Sequence, residues 1–301
     1  MSIVRGHGTR RRLVAVALVA LAALLATGCD WQLMVPPGDA PLRYRDEVFT
    51  TVQVTKDLTY GSATNQSGQV QALTLDLYRP PATDTVTRRP AIVWIHGGAF
   101  QVGDKNSAEI VDEANVFARK GYVGVSINYR LATSGCIGTI TAACLQAIVD
   151  AKHDAQAAVR WLRANAATYG IDPARIATAG SSAGAITALN VGYGPEDVGD
   201  SGNPGYDSTV AAAVSLSGQR ILTRANPGEA AALLFHGTAD PLVPYAGAQT
   251  TVDEALAAGL AANLTTWDGA GHVPYVAHRT EILGQTTNFL WWTLDLAGAE
   301  R

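Results

Sequence analysis

Three short segments of this 301-residue chain carry residue types that together could break an acyl bond. The first is Gly180-Ser-Ser-Ala-Gly184, which fits G-x-S-x-G and lies between an apolar run, Arg175-Ile-Ala-Thr-Ala179, and an Ala-rich stretch of helical character. A strand that turns directly into a helix forces the residue at the bend into a strained conformation. The positions two residues to either side must then carry almost no side chain, and Gly180 and Gly184 meet that demand. Ser182 is therefore the candidate nucleophile, with its hydroxyl clear of the strand and at the positive end of the following helix.

A serine hydroxyl is a weak nucleophile without a base, and the base needs an acid to orient it. Asp240 follows an apolar strand in Leu234-Phe-His-Gly-Thr-Ala-Asp240, and His272 follows another in Trp267-Asp-Gly-Ala-Gly-His272, giving the chain order serine, acid, histidine. Competing groups fit less well: Asp207 precedes its strand, Asp253 lies on a predicted helix, Asp268 is four residues from His272, His236 directly ends a strand and His278 starts a predicted helix. The third segment, Ile92-Val-Trp-Ile-His96-Gly97-Gly98-Ala99-Phe100, is a buried strand running into a Gly-rich loop. Such a loop brings backbone N–H groups close to a carbonyl, so the expected oxyanion donors are the N–H of Ala183 with that of Gly98 or Ala99. His96 and Gly97 are expected to shape this loop. This chemistry requires no metal or organic cofactor.

These loops must be held by strands. Runs at 91–95, 123–127, 175–179, 210–216, 232–235 and 264–267 are short and mostly apolar, as buried parallel strands tend to be. Helical stretches at 108–120, 144–169, 183–191, 247–258 and 279–296 separate them. The alternation predicts an α/β fold: a mostly parallel sheet with helices on both faces. Alternating segments at 48–54 and 70–78 predict an antiparallel hairpin at the N-terminal edge. The short connection at 217–231 leaves no room for a large lid, and an open site suits short-chain or accessible esters. Phe100, Tyr129 and Trp267 lie near these loops, where either pocket lining or core packing suits an aromatic ring.

With 48% hydrophobic and 16% charged residues, the chain reads as globular. The first 28 residues hold four arginines and no acid, so the remainder carries 18 basic against 26 acidic residues. That balance offers no footprint for nucleic acid. Arg10-Arg11-Arg12, then an apolar run from Leu13 to Ala26, describe an export signal over residues 1–28, too short for an ordinary membrane span. Leu25-Ala-Thr-Gly-Cys29 resembles a bacterial lipobox, which makes Cys29 the expected site of a membrane-anchoring lipid, with plain secretion as the alternative. Thr9 to Val14 also resembles a twin-arginine signal, and an ordinary basic n-region reads equally well. Residues 29–45, with Pro36-Pro37-Gly38 and Pro41, are the expected tether, and 46–301 the catalytic domain. Export places Cys136 and Cys144 where a disulfide can persist.

The segments His96-Gly-Gly-Ala-Phe100, Gly180-Ser-Ser-Ala-Gly184, Asn128-Tyr-Arg-Leu131 and Leu73-Thr-Leu-Asp-Leu-Tyr-Arg-Pro80 together resemble bacterial carboxylesterases of the α/β-hydrolase superfamily, in its hormone-sensitive-lipase-like and feruloyl or acetyl-xylan-esterase-like branches. The resemblance runs from about Val48 to the C-terminus. Ala99 and Ser181 stand where the first branch usually has Gly and Asp. It implies a serine carboxylesterase that forms an acyl-enzyme on Ser182, and a role for Asp154 in supporting the elbow, against a solvated helix acid. A prolyl-peptidase-like hydrolase and a non-catalytic surface lipoprotein on the same fold are the alternatives.

Overall fold

In the central strands, consecutive side chains are buried on opposite faces, which is why their sequences read as unbroken apolar runs. Strand β3 (Arg89–Ile95) shows it: Ala91, Val93 and Ile95 belong to one core, and Ile92 and Trp94 to the other. The computed structural model describes residues 30–133, 136, 140–195 and 197–299; the expected export signal and Cys29 lie outside them. Eight strands form one sheet: β1 (Gln53–Thr64), β2 (Val70–Arg79), β3, β4 (Val123–Ile127), β5 (Ile171–Ser181), β6 (Ala212–Leu216), β7 (Ala231–Gly237) and β8 (Ala262–Trp267), in the order β1-β2-β4-β3-β5-β6-β7-β8. The first two strands pair antiparallel with their neighbours and all later pairs are parallel. Helices α1 (Ala108–Arg119) and α6 (Tyr275–Thr293) cover one face. Helices α2 (Ala142–Ala164), α4 (Ala183–Gly192) and α5 (Tyr245–Ala257) cover the other, and the single turn α3 (Ala166–Tyr169) precedes β5. This is the α/β-hydrolase architecture expected from the alternation of elements.

The elements differ from expectation in three places. The first arm of the hairpin is Gln53–Thr64 rather than 48–54. It is an edge strand, largely exposed and broken by two register shifts against β2, so no clean apolar alternation marks it. The helix expected over 144–169 ends at Ala164, where Asn165 leaves the helical region and turns its amide back to the Trp161 carbonyl. Residues 32–45, expected as a tether, are laid on the domain. Tyr44 is fully buried and its N–H donates to the Lys120 carbonyl, Arg43 pairs with Asp84 through both carboxylate oxygens, and Asn288 donates to the Leu33 carbonyl. An aromatic ring and a bidentate guanidinium supply anchors that the proline content of this stretch conceals.

Three consecutive residues after β4 hold the loops around the sheet's C-terminal edge. Asn128 Oδ1 accepts the N–H of Lys105, the Tyr129 hydroxyl donates to the His96 carbonyl, and Arg130 binds Asp154 through its Nε and Nη2. Asp154 on α2 is wholly buried and also accepts from Ser201 Oγ at 2.6 Å. It therefore fastens Arg130 and the 197–203 loop to α2, and none of its hydrogen bonds goes to the elbow. Removing one member of such a pair strands a buried charge, so Asp154→Ala should lower stability by about 3 kcal/mol, read from denaturant unfolding. A loss indistinguishable from that of a surface substitution would contradict this account.

Candidate active site

The strand-to-helix bend at Ser182 is built by steric exclusion. Ser182 has φ 52° and ψ −117°, a conformation that L residues avoid, and its N–H donates to the Leu216 carbonyl at 2.9 Å. A Cβ on Gly184 would stand 1.9 Å from the Ile95 carbonyl oxygen, and one on Gly180 would stand 2.5 Å from the same atom. The end of β3 therefore packs directly on the elbow, and only glycine admits that approach. Helix α4 starts at Ala183, so Ser182 is its N-cap residue.

His272 Nε2 lies 2.8 Å from Ser182 Oγ, and its Nδ1 lies 2.7 Å from Asp240 Oδ2. A carboxylate only accepts, so Nδ1 carries the ring proton and the bare Nε2 faces the serine O–H. The Asp240 side chain is fully buried, and Oδ1 accepts the N–H groups of Leu242 and Val243 at 2.9 and 3.0 Å. Burial alone would push its carboxyl up, but the bonds from His272, Val243 and Leu242 outweigh it and hold the pKa below the ordinary carboxylate value. Asp240 is thus kept as an anion beside the imidazole.

The Gly-rich loop closes the other side. Gly98 has φ 119°, and a Cβ there would meet the Val102 carbonyl at 1.9 Å, so this position too is restricted to glycine. Ala99 and Phe100 follow with φ of 52° and 60°. Their conformation is held by N–H donation from Gln101 and Val102 to the Gly98 carbonyl and from Ala132 to the Phe100 carbonyl. Among the described residues, no hydrogen bond takes up the N–H groups of Gly98, Ala99 or Ala183. His96 is buried, its ring stacked on Tyr129 at 4.4 Å and Nδ1 2.6 Å from the Gly97 carbonyl, far from a role as second base. Gly97 lies over the elbow: its Cβ would come within 3.1 Å of the Ser181 carbonyl oxygen.

Together these residues line an open cleft of about 420 Å³ bounded by Gly97, Gly98, Ala99, Ser181, Ser182, His272 and Val273, with Val102 and Leu242 exposed at its edge. Phe100, Tyr129 and Trp267 are all core residues, Trp267 stacking on Phe235 and His278, and none of them lines the cleft. Sequence reading missed three contributors. His236, fully buried, places Nε2 2.9 Å from the Val243 carbonyl and 3.2 Å from Asp240 Oδ2. Ser217, at φ 56°, accepts the Val273 N–H and so fixes the residue after His272. Glu109 on α1 reaches the cleft wall. Only the strand-end position of His236 and the first-turn position of Glu109 hinted at them. The rejected acid Asp268 braces the His272 loop by accepting from Thr238 Oγ1.

A parallel sheet of this order with a serine, histidine and aspartate at its C-terminal edge defines an α/β-hydrolase. The BD-FAE family model matches residues 75–226, half of the chain, and this protein belongs to that family. A second model, TAP-like protein, matches residues 205–291. Among curated proteins the chain is similar to carboxylesterase 3B of Mus musculus, 32% identical over 42% of this chain and 21% of that protein. It is also similar to phenmedipham hydrolase of Pseudarthrobacter oxydans, 36% identical over 41% and 23%. It thus spans under a quarter of the length of these relatives. Among solved structures it resembles Thermogutta terrifontis esterase 2 phosphorylated by paraoxon, at TM-score 0.66 and 25% identity over 83% of this chain and 97% of that one. The same esterase phosphoramylated by tabun gives 0.67 and 24% over 85% and 98%.

Cys136 and Cys144 form a disulfide that ties the loop after β4 to the first turn of α2, and the Cys136 N–H donates to Gln101 Oε1 of the Gly-rich loop. The bridge closes a short loop, for which chain entropy gives a stabilisation of about 2–3 kcal/mol. A reductant should therefore lower the melting temperature of the wild type and leave that of a Cys136→Ser/Cys144→Ser variant unmoved. Equal responses would exclude the bridge.

Proposed function

We propose that this protein is a serine carboxylesterase that acts on short-chain or accessible esters through an acyl-enzyme on Ser182. The observation that carries the reading is the unbroken run of contacts from Asp240 through His272 to Ser182, at 2.7 and 2.8 Å. Ser182 Oγ attacks the ester carbonyl carbon as its proton passes to His272 Nε2. The N–H of Ala183 and that of Gly98 or Ala99 receive the resulting oxyanion. When the intermediate collapses, the C–O bond to the alcohol breaks and the imidazolium returns its proton to the departing oxygen. Water then repeats the sequence on the acyl-enzyme and frees the acid.

The likeness to an esterase that becomes phosphorylated by paraoxon supports the reading, since lasting attachment of that group needs an activated nucleophile. The preference for small or accessible esters rests on the open cleft and on the 217–230 connection, which holds no helix or strand among its residues. The export signal and Cys29 support a location at the cell envelope, held by a lipid on that cysteine. Mass spectrometry of the mature N-terminus should find the lipid adduct on Cys29, and an unmodified cysteine there would leave secretion as the better reading.

With p-nitrophenyl acetate, Ser182→Ala should lower kcat by about a thousandfold or more, and Asp240→Asn by about 10³–10⁴ through loss of the productive histidine tautomer. A Ser182→Ala variant as fast as the wild type would sink the esterase reading.

A further inference from the structure

Glu109 stands in the first turn of α1, where an acid complements the helix dipole, yet it is half-buried and lines the cleft that holds Ser182 and His272. Its carboxyl lies beside the hydroxyl of Ser181, the residue just before the nucleophile, and burial pushes its pKa up. Ser181 Oγ in turn sits against the Gly-rich loop, 3.4 Å from where a Cβ on Gly97 would be. The neighbouring acids are otherwise engaged or deeper. Asp112 is held by Arg279 and by the Tyr275 hydroxyl, and Glu113 is buried one helical turn below Glu109. Among the described residues no cation pairs with Glu109. Ser107, the N-cap residue of the same helix, makes no capping hydrogen bond and lines the cleft as well.

A carboxyl without an ion-pair partner and an N-cap hydroxyl without its usual bond thus both lie on the lining of one cleft. The rest of the lining includes hydrocarbon: Val102 and Leu242 are each more than half exposed, and Val273 adjoins His272. The cleft that holds the Ser182 hydroxyl is therefore lined by both hydrogen-bonding groups and apolar side chains. We propose that Glu109 is a specificity-determining residue: its carboxyl, with the hydroxyls of Ser107 and Ser181, receives a hydroxyl group carried by the ester a few atoms from its carbonyl. Esters so substituted are then preferred over hydrocarbon esters of the same size. A site built to bond a substrate hydroxyl leaves its own polar groups unpaired when an alkyl group enters, and discrimination follows from that penalty.

The proposal rests on the esterase reading, and the test separates the two. Rates are compared within two matched pairs: p-nitrophenyl 3-hydroxybutyrate against p-nitrophenyl butyrate for the acyl side, and 2-hydroxyethyl butyrate against propyl butyrate for the alcohol side. In the wild type, kcat/KM should favour the hydroxylated member of at least one pair by about three- to tenfold, the range expected of one net hydrogen bond. The pair that responds identifies which half of the ester meets the wall. Glu109→Leu should bring that ratio to about one while butyrate hydrolysis persists, and Glu109→Gln, which keeps the shape and a hydrogen-bonding amide, should retain most of it. A global packing defect would slow both members of a pair alike and leave their ratio where it was. Wild-type ratios at or below one in both pairs overturn the proposal without any variant, and so does a Glu109→Leu ratio equal to that of the wild type. Failure to hydrolyse any of the four esters overturns the esterase reading itself, and this one with it.

Discussion

The site depends on one close approach, that of the β3 carboxyl end to the bend at Ser182. The Ile95 carbonyl oxygen occupies the space where side chains at 180 and 184 would stand. Backbone in the φ 52°, ψ −117° region costs on the order of 1–3 kcal/mol, and it persists here because the surroundings over-determine it. The Ser182 N–H is taken by Leu216 on β6, α4 begins at the next residue, and β3 closes the third side. The same β3 runs on into the loop bearing Gly98 and Ala99. One strand thus presses on the nucleophile's turn and delivers the groups that face it, so their spacing is inherited from the sheet rather than from flexible side chains.

How much of this was legible follows from how strongly physics constrains each residue. The central strands announced themselves because burial on both faces permits only apolar side chains, and the elbow because a clash of 1.9 to 2.5 Å permits only glycine. Asp240 and His272 could be placed because each must follow a strand and reach the same edge of the sheet. Where solvent or other side chains share the constraint, the signal fades. Strand β1 is mostly exposed, so its residues are free to be Lys, Asp and Thr, and its position was misread. The contact of His236 with Asp240 depends on two loops meeting in space and has no sequence pattern of its own. The docking of residues 32–45 was hidden because Tyr44 and Arg43 act singly, within a stretch whose prolines and glycine read as linker.

The segment Asn128-Tyr-Arg130 illustrates why a short motif can mark a family without touching the chemistry. Leaving the sheet at the end of β4, three consecutive side chains diverge, two to opposite ends of the Gly-rich loop and one to α2 and the 197–203 loop. Asn128 holds the exit of the Gly-rich loop at Lys105, which is pinned further through Nζ to the buried Asp76 at 2.6 Å. Tyr129 holds its entrance at His96, beneath which its ring is stacked. Arg130 reaches the other way, to α2 and the 197–203 loop. A change at any of the three would be felt at the Gly-rich loop or its supports, although none of them lines the cleft.

The charge at Asp240 is held by three hydrogen bonds, and that geometry limits what the histidine can do. Oδ1 is committed to two backbone N–H groups, and Oδ2 lies between His272 Nδ1 and His236 Nε2. The neighbours of His236 Nε2 are both acceptors, so that nitrogen bears a proton and donates it to the Val243 carbonyl, with the carboxylate 3.2 Å away. With both oxygens held, the carboxylate plane cannot rotate, and the only ring orientation that satisfies His272 Nδ1 is the one that turns Nε2 toward Ser182. The depressed pKa of Asp240 follows from the bonds of His272, Val243 and Leu242, each of which makes the anion cheaper.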